Sequence, residues 1–288
     1  MSLMEALSAV SNLDPSLRRR MREFYETSET YKRLLDHHNS AYLQTFVNLV
    51  NSHAPPQSQL LEVGCGNGIA SRMLADRGHQ IVGTDISPLF LAEAKVWETD
   101  CLTYQVADAL DLPFPDQHFD LVCSNELVEH VPDVQSVLQE MIRVTRDGGR
   151  IVVAGPNLCS PITSLLDWLR LLIGGAGRPI WAETKEQAFQ GLQRNLRYYL
   201  QKRLNPEPNF IFREPDLKDQ IIGGDADSVY VASTIDLEKF FQQRGLTIIK
   251  LSVGFGLKGK IVATLCPRLS PYISMVVQKW RFNPPTLC

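Results

Sequence analysis

Leu60-Leu61-Glu62-Val63-Gly64-Cys65-Gly66-Asn67-Gly68 is the stretch on which the fold turns. The apolar run Gln59–Val63 leads into it, and Ile69–Arg77 behind it has helical spacing that stops at Gly78. A glycine-rich turn between a strand and a helix lets the backbone come close to a ligand and offers it the free N–H groups of the helix start. The spacing argues against a dinucleotide. A pyrophosphate turn reads G-x-G-x-x-G, whereas here the third glycine comes one residue early and an acid, Glu62, precedes the turn. That acid would repel a pyrophosphate and would suit a ligand carrying an ammonium and a sulfonium.

Working outward, short apolar strands alternate with helices. Strands are expected at Gln80–Thr84, Leu102–Val106, Phe119–Ser124 and Arg150–Ala154, and helices at Pro88–Trp97 and Asp133–Thr145. This is the pattern of a parallel sheet covered on both faces. It resumes with a helix at Ile235–Arg244, a strand at Leu246–Ser252 and a strand at Lys260–Cys266. The last two are joined by a link too short for a crossover helix, which makes them antiparallel. Two further acids fall at strand ends, Asp85 in Val82-Gly83-Thr84-Asp85-Ile86-Ser87 and Asp108 in Val106-Ala107-Asp108-Ala109. The carboxyl edge of such a sheet is where ligands bind.

With E-x-G-x-G-x-G, Asp85, Ala107-Asp108-Ala109 and the Arg146-Asp147-Gly148-Gly149 turn in place, the sequence resembles the Rossmann-like (class I) S-adenosylmethionine (SAM)-dependent methyltransferases of the small-molecule type. The resemblance runs over Tyr42–Gly155 and Ile235–Cys266. It implies an α/β fold with a seven-stranded, mostly parallel sheet, the last strand antiparallel and helices on both faces. SAM is the implied cofactor. Glu62 and the backbone of Gly64, Cys65, Gly66, Asn67 and Gly68 would hold its methionyl end, and Asp85 with Ile86 beside it the ribose. Asp108 and Ala109 would take the adenine, and Asn125 would complete the pocket. Tyr25 and Tyr31 stand where relatives carry aromatics that close over the cofactor.

The stretch Asn125-Glu126-Leu127-Val128-Glu129-His130-Val131-Pro132-Asp133 follows the fourth strand and faces the same edge. It is similar to the E-x-x-E-H-V-P-D of quinone-biosynthesis O-methyltransferases. That similarity makes Glu126, Glu129 and His130 the candidate catalytic residues, with His130 as general base for a hydroxyl acceptor. In some of those enzymes the equivalent trio is thought to hold a divalent metal; no resident metal is expected here. The alternatives to an enzyme of this type are a SAM-binding sensor or scaffold without turnover, and methylation of a macromolecule.

The expected organisation is an N-terminal helical cover (1–52), a SAM-binding core (53–156 and 232–268), a largely helical substrate lid inserted after strand five (157–231) and a C-terminal tail (269–288). The lid holds the apolar Pro161–Ile173, a hinge-like Gly174–Gly177, and a basic stripe of Arg194, Arg197, Lys202 and Arg203. It also holds Gly223–Tyr230, which returns to the sheet and is a candidate wall of the acceptor pocket. The acceptor is expected to be small, aromatic or lipidic. His37-His38 reads as helix surface, and the arginines 18–20 and 22 as a solvated face.

Composition bounds the rest. The 288 residues are 44% hydrophobic and 21% charged, enough for a full-sized core. Lys and Arg number 29 against 32 Asp and Glu, a net of −3, which argues against a nucleic-acid partner. No apolar run approaches the ~20 residues of a spanning helix, although peripheral membrane contact through the lid stays open. The 6 cysteines include no CxxC pair, so they read as reduced thiols of a cytoplasmic protein.

Overall fold

A computed structural model describes residues 15–35, 40–176, 182–218, 226–254 and 256–280. His37-His38, Gly177, 223–225 and Cys288 lie outside the described residues. Three helices lead in: α1 (Pro15–Thr27), α2 (Glu29–Leu35) and α3 (Ser40–His53). The core follows as β1 (Gln59–Val63), α4 (Ile69–Ala75), β2 (Gln80–Asp85), α5 (Pro88–Ala94), β3 (Leu102–Val106), β4 (Phe119–Asn125), α6 (Val134–Val144) and β5 (Thr145–Pro156). Two lid helices, α7 (Pro161–Leu172) and α8 (Lys185–Leu204), separate it from α9 (Thr234–Gln243), β6 (Thr247–Lys250), α10 (Gly256–Leu265) and β7 (Tyr272–Gln278).

The sheet has 7 strands in the order β3-β2-β1-β4-β5-β7-β6. Every neighbouring pair is parallel except those made by β7, which runs antiparallel to both β5 and β6. The expected class is therefore the observed one: a mostly parallel seven-stranded sheet, antiparallel at its last strand and carrying helices on both faces. Alternate residues of one strand feed two cores. Leu61, Val63, Val122, Ile151 and Val153 pack with α6 and α9 on one face, while Leu60, Leu121, Cys123, Val152 and Ala154 pack with α3 and α4 on the other.

One strand expectation is corrected. Lys260–Cys266 is not a strand, since Gly256–Leu265 is helix α10. The antiparallel strand lies in what was read as a tail, at Tyr272–Gln278. The slot between β5 and β6 is covered on both sides, so it needs a chain that is apolar on both faces. Ile273, Met275, Val276 and Val277 meet that need and are buried, whereas Lys260 and Thr264 would have been forced inside.

The α7–α8 insertion is tied to the core by a buried ion pair. Lys202 on α8 and Asp236 on α9 are both 0% exposed and in direct contact. Lys202 Nζ also donates to Asn209 O (2.8 Å), and Asp236 accepts from the Tyr230 hydroxyl (2.9 Å). The basic stripe is thus broken, because Lys202 faces neither solvent nor ligand. Removing one partner leaves the other charge buried, so Lys202→Met is expected to lower unfolding free energy by about 3–5 kcal/mol. Chemical denaturation would measure it; a loss under about 1 kcal/mol would mean the pair contributes no more than a surface one.

Candidate active site

The strand order reverses between β1 and β4, and a crevice opens at their carboxyl ends. After β1, Gly64, Gly66 and Gly68 adopt φ of 73°, 53° and 75°, the left-handed region that favours glycine. The Gly64 and Cys65 amides both donate to Thr84 O (2.8 and 2.9 Å). Gly68 caps α4, where a Cβ would stand 2.5 Å from the Tyr104 hydroxyl oxygen, itself donating to Gly68 O at 2.8 Å. Gly68→Ala is accordingly expected to destabilise by about 1–3 kcal/mol, read as a lowered melting temperature; an unchanged Tm would show that the turn relaxes freely.

Asp85 ends β2 with its carboxylate under the turn. Its oxygens accept from the Gly66 amide (2.9 Å) and the Ser87 amide (2.9 Å). Burial pushes its pKa up to about 6, against the pull of these amides. Glu62 lies deeper and is likewise pushed up by burial, to about 7, while the Ser71 hydroxyl donating to it at 2.5 Å acts the other way.

The crevice encloses about 870 Å³ of open space, its solvent-filled mouth included. Val63, Gly64 and Gly66 form its floor, Asp85, Ile86, Asp108 and Ala109 one wall, and Glu126, Leu127 and His130 the other. Helices α1 and α2 cover it with Tyr25 and Tyr31. Tyr31 stacks on Phe90 at 5.7 Å, and both tyrosines meet the His130 ring edge-on, at 6.2 and 6.4 Å. Arg18 donates to Asp108 Oδ2 at 2.8 Å and Arg22 stands at 3.8 Å, so part of the arginine face, though half exposed, reaches the crevice.

The chain turns sharply after β4, with Glu126 at φ 53°, and the single 3₁₀ turn Val128–His130 delivers the imidazole to the crevice. His130 is 8% exposed and sits between two fully buried carboxylates. Its Nδ1 lies 3.1 Å from Asp227 Oδ2, and its Nε2 3.6 Å from Glu129 Oε1. The Tyr25 hydroxyl donates to the same Asp227 oxygen at 2.7 Å. Burial acts to raise the Asp227 carboxyl, but the facing His130 and the Tyr25 hydroxyl outweigh it and hold the group below its ordinary value. The amides of Val229 and Tyr230 both donate to Glu129 O (2.8 and 3.0 Å), stitching the segment before α9 to the turn after β4.

The methyltransferase domain family matches residues 61–153. The chain is 35% identical over 142 residues to the tocopherol O-methyltransferase of Arabidopsis thaliana, covering 44% of this chain and 40% of that protein. It is 37% identical over 127 residues to the 2-methyl-6-phytyl-1,4-hydroquinone methyltransferase of Synechocystis sp., covering 40% of each. The fold of a SAM-dependent methyltransferase from Aquifex aeolicus matches with a TM-score of 0.52 at 11% identity, over 88% of this chain and 99% of that one. Residues 61–153 carry a methyltransferase domain, in a fold shared with SAM-dependent methyltransferases. It spans 40% of the length of each of these two curated relatives.

The sequence-expected residues divide. Gly64, Gly66, Asp85, Ile86, Asp108, Ala109, Glu126, His130, Tyr25 and Tyr31 line the crevice, whereas Glu62, Cys65, Asn67, Gly68 and Asn125 do not. Asn67 instead donates to Leu35 O (3.1 Å), holding the α2 cover down. Asn125 and Glu126 both accept from the Tyr272 hydroxyl, at 2.8 and 2.5 Å. Glu126 thus turns toward β7 while Glu129 turns toward His130, and among the described residues no three His, Cys, Asp or Glu side chains are placed to hold a metal ion. Asp227 belongs to the Gly223–Tyr230 stretch expected to wall the acceptor pocket, but nothing local marks it as facing a histidine 97 positions earlier; Phe90 and Leu127 at the crevice likewise carry no local signal.

Proposed function

We propose that this methyltransferase moves the SAM methyl group onto a hydroxyl oxygen of a small aromatic or lipidic molecule. The carrying observation is His130, held at the crevice wall between Asp227 and Glu129. The crevice fits the cofactor: its floor is the bare glycine backbone of Gly64 and Gly66, and a buried carboxylate, Asp85, waits at the ribose position. Bound there, SAM supplies a methyl group already activated on a cationic sulfur. The protein's part is alignment and proton removal.

In this reading Asp85 accepts from the ribose hydroxyls, Asp108 and the Ala109 amide receive the adenine, and the Gly64–Gly68 turn receives the amino-acid end. Tyr25 and Tyr31 close over the reacting centre and exclude water. Asp227 holds the imidazole through Nδ1, and Nε2, beside Glu129 Oε1, takes the acceptor's proton while Glu129 steadies the resulting positive charge. Residues 157–231 serve as the lid that selects the acceptor. The net charge of −3 supports a small molecule over a nucleic acid as the acceptor. The free thiols Cys65, Cys101, Cys123, Cys159 and Cys266 support a cytoplasmic setting.

A panel of phenols, catechols, hydroquinones, amines and thiols, incubated with methyl-labelled SAM with and without a chelator, tests the reading. Label is expected on hydroxyl compounds, undiminished by chelator. Tight cofactor binding without transfer to any member of the panel would defeat it.

A further inference from the structure

The lid exposes a face that the chemistry above leaves unused. Helices α7 and α8 pack antiparallel: Ser164 meets Gly191 and Asn195, and Leu171 meets Ala182 and Ala188. The positions that follow these contacts by one residue, Leu165, Trp168 and Leu172 on α7 and Phe189, Leu192 and Leu196 on α8, turn to the same side of the hairpin. Two antiparallel helices rotated by the same step from their shared seam must do so. Trp168 and Phe189 join the two rows at 5.6 Å. The outer edges widen the plate: Leu166 is 57% exposed, Leu169 46%, Leu200 46% and Leu204 80%. Apolar surface of this extent on one face marks an interaction site rather than scatter.

The charges identify the partner. The charged residues of α7 are Asp167, which is buried, and Arg170. On α8 no acid occurs after Glu186, while Arg194, Arg197 and Arg203 are exposed. Arg203 lies in line with the leucine row, and Lys185 stands at its other end. An apolar face with Lys185 at one end and Arg203 at the other, on a protein of net charge −3, matches an acyl boundary beneath anionic headgroups.

We infer that the α7–α8 hairpin seats the protein on an anionic phospholipid surface, its leucines entering the headgroup boundary and Lys185 and Arg203 meeting the phosphates. This site stands independently of the methyl-transfer reading. The full chain is floated with vesicles of phosphatidylcholine alone and of phosphatidylcholine mixed with phosphatidylglycerol. Binding is expected on the mixed vesicles, weakened at high salt, and reduced about tenfold or more by Leu169→Glu with Leu196→Glu or by Lys185→Glu with Arg203→Glu. Circular dichroism and S-adenosylhomocysteine affinity report whether each variant is folded; both are expected to match the parent. Equal binding to the two vesicle types, or folded variants that float like the parent, overturns the proposal. So does light scattering that shows a dimer abolished by the leucine changes while vesicles capture nothing, which would assign the plate to a second copy of the chain.

Discussion

His130→Ala is expected to slow methyl transfer by about 10²–10⁴-fold, the usual worth of a positioned general base, with S-adenosylhomocysteine affinity changed by less than about threefold. The expectation follows from placement: the imidazole lines the crevice but is one side chain among many there, whereas it alone stands between Asp227 and Glu129. Asp227→Asn extends the test. The amide keeps the shape and an acceptor for the Tyr25 hydroxyl, but it no longer favours a positively charged imidazole. The maximal rate should fall, and the ascending limb of the pH–rate profile should move to lower pH. The double variant should be little worse than His130→Ala alone, because the two groups act as a unit. Additive losses would mean that Asp227 works through the Tyr25 cover and not through the histidine.

Asp227 also carries a stability signature of definite sign. Its folded-state pKa lies below the ordinary carboxylate value, so its contribution is present above that value and is lost as pH falls through the folded one.

Asp85→Ala is expected to weaken S-adenosylhomocysteine binding at least tenfold, about 1.4 kcal/mol or more, by isothermal titration. The loss has two sources. The ribose loses its acceptor, and the Gly66 and Ser87 amides, now without theirs, no longer hold the turn in its ligand-ready shape. The pH dependence follows from the same group. With a pKa raised to about 6 from 3.8 by burial, Asp85 is largely protonated at pH 5 and ionised at pH 7.5. Affinity in the parent should rise through about pH 6 and level off, and the rise should vanish in the variant. In the unliganded protein the sign is the reverse: a raised carboxylate lends stability below its unfolded value that is lost as pH climbs through the folded one. Thermal melts should therefore decline from about pH 4 toward pH 7, with Glu62 (4.5 raised to about 7) acting in the same direction. Unchanged binding in Asp85→Ala would remove the cofactor assignment.

Much of the site was legible because local constraints wrote it. Glycines at positive φ, an acid closing β2 and an acid after β3 are each demanded by the few residues around them, and short-range pattern is what a chain displays openly. The pocket's floor and one wall could be named from the turn and strand ends alone. The same locality explains the errors. Lys260–Cys266 and Tyr272–Gln278 are both short apolar runs, which periodicity cannot rank. The choice was made by a doubly covered slot between β5 and β6 that exists only once the sheet is assembled. Lys202 looked like one more solvated cation until α8 was laid against α9 and its partner Asp236.

The sequence by itself determined the alternation of strand and helix, the glycine turn and the strand-end acids, since each depends on neighbours along the chain. Tertiary structure alone decided which run became β7, which cations were swallowed, that Glu126 faces Tyr272 and not Glu129, and that Asp227 meets His130 beneath Tyr25. Those contacts join residues tens to hundreds of positions apart, and only the closing of the sheet and the folding back of the lid bring them within a few ångströms.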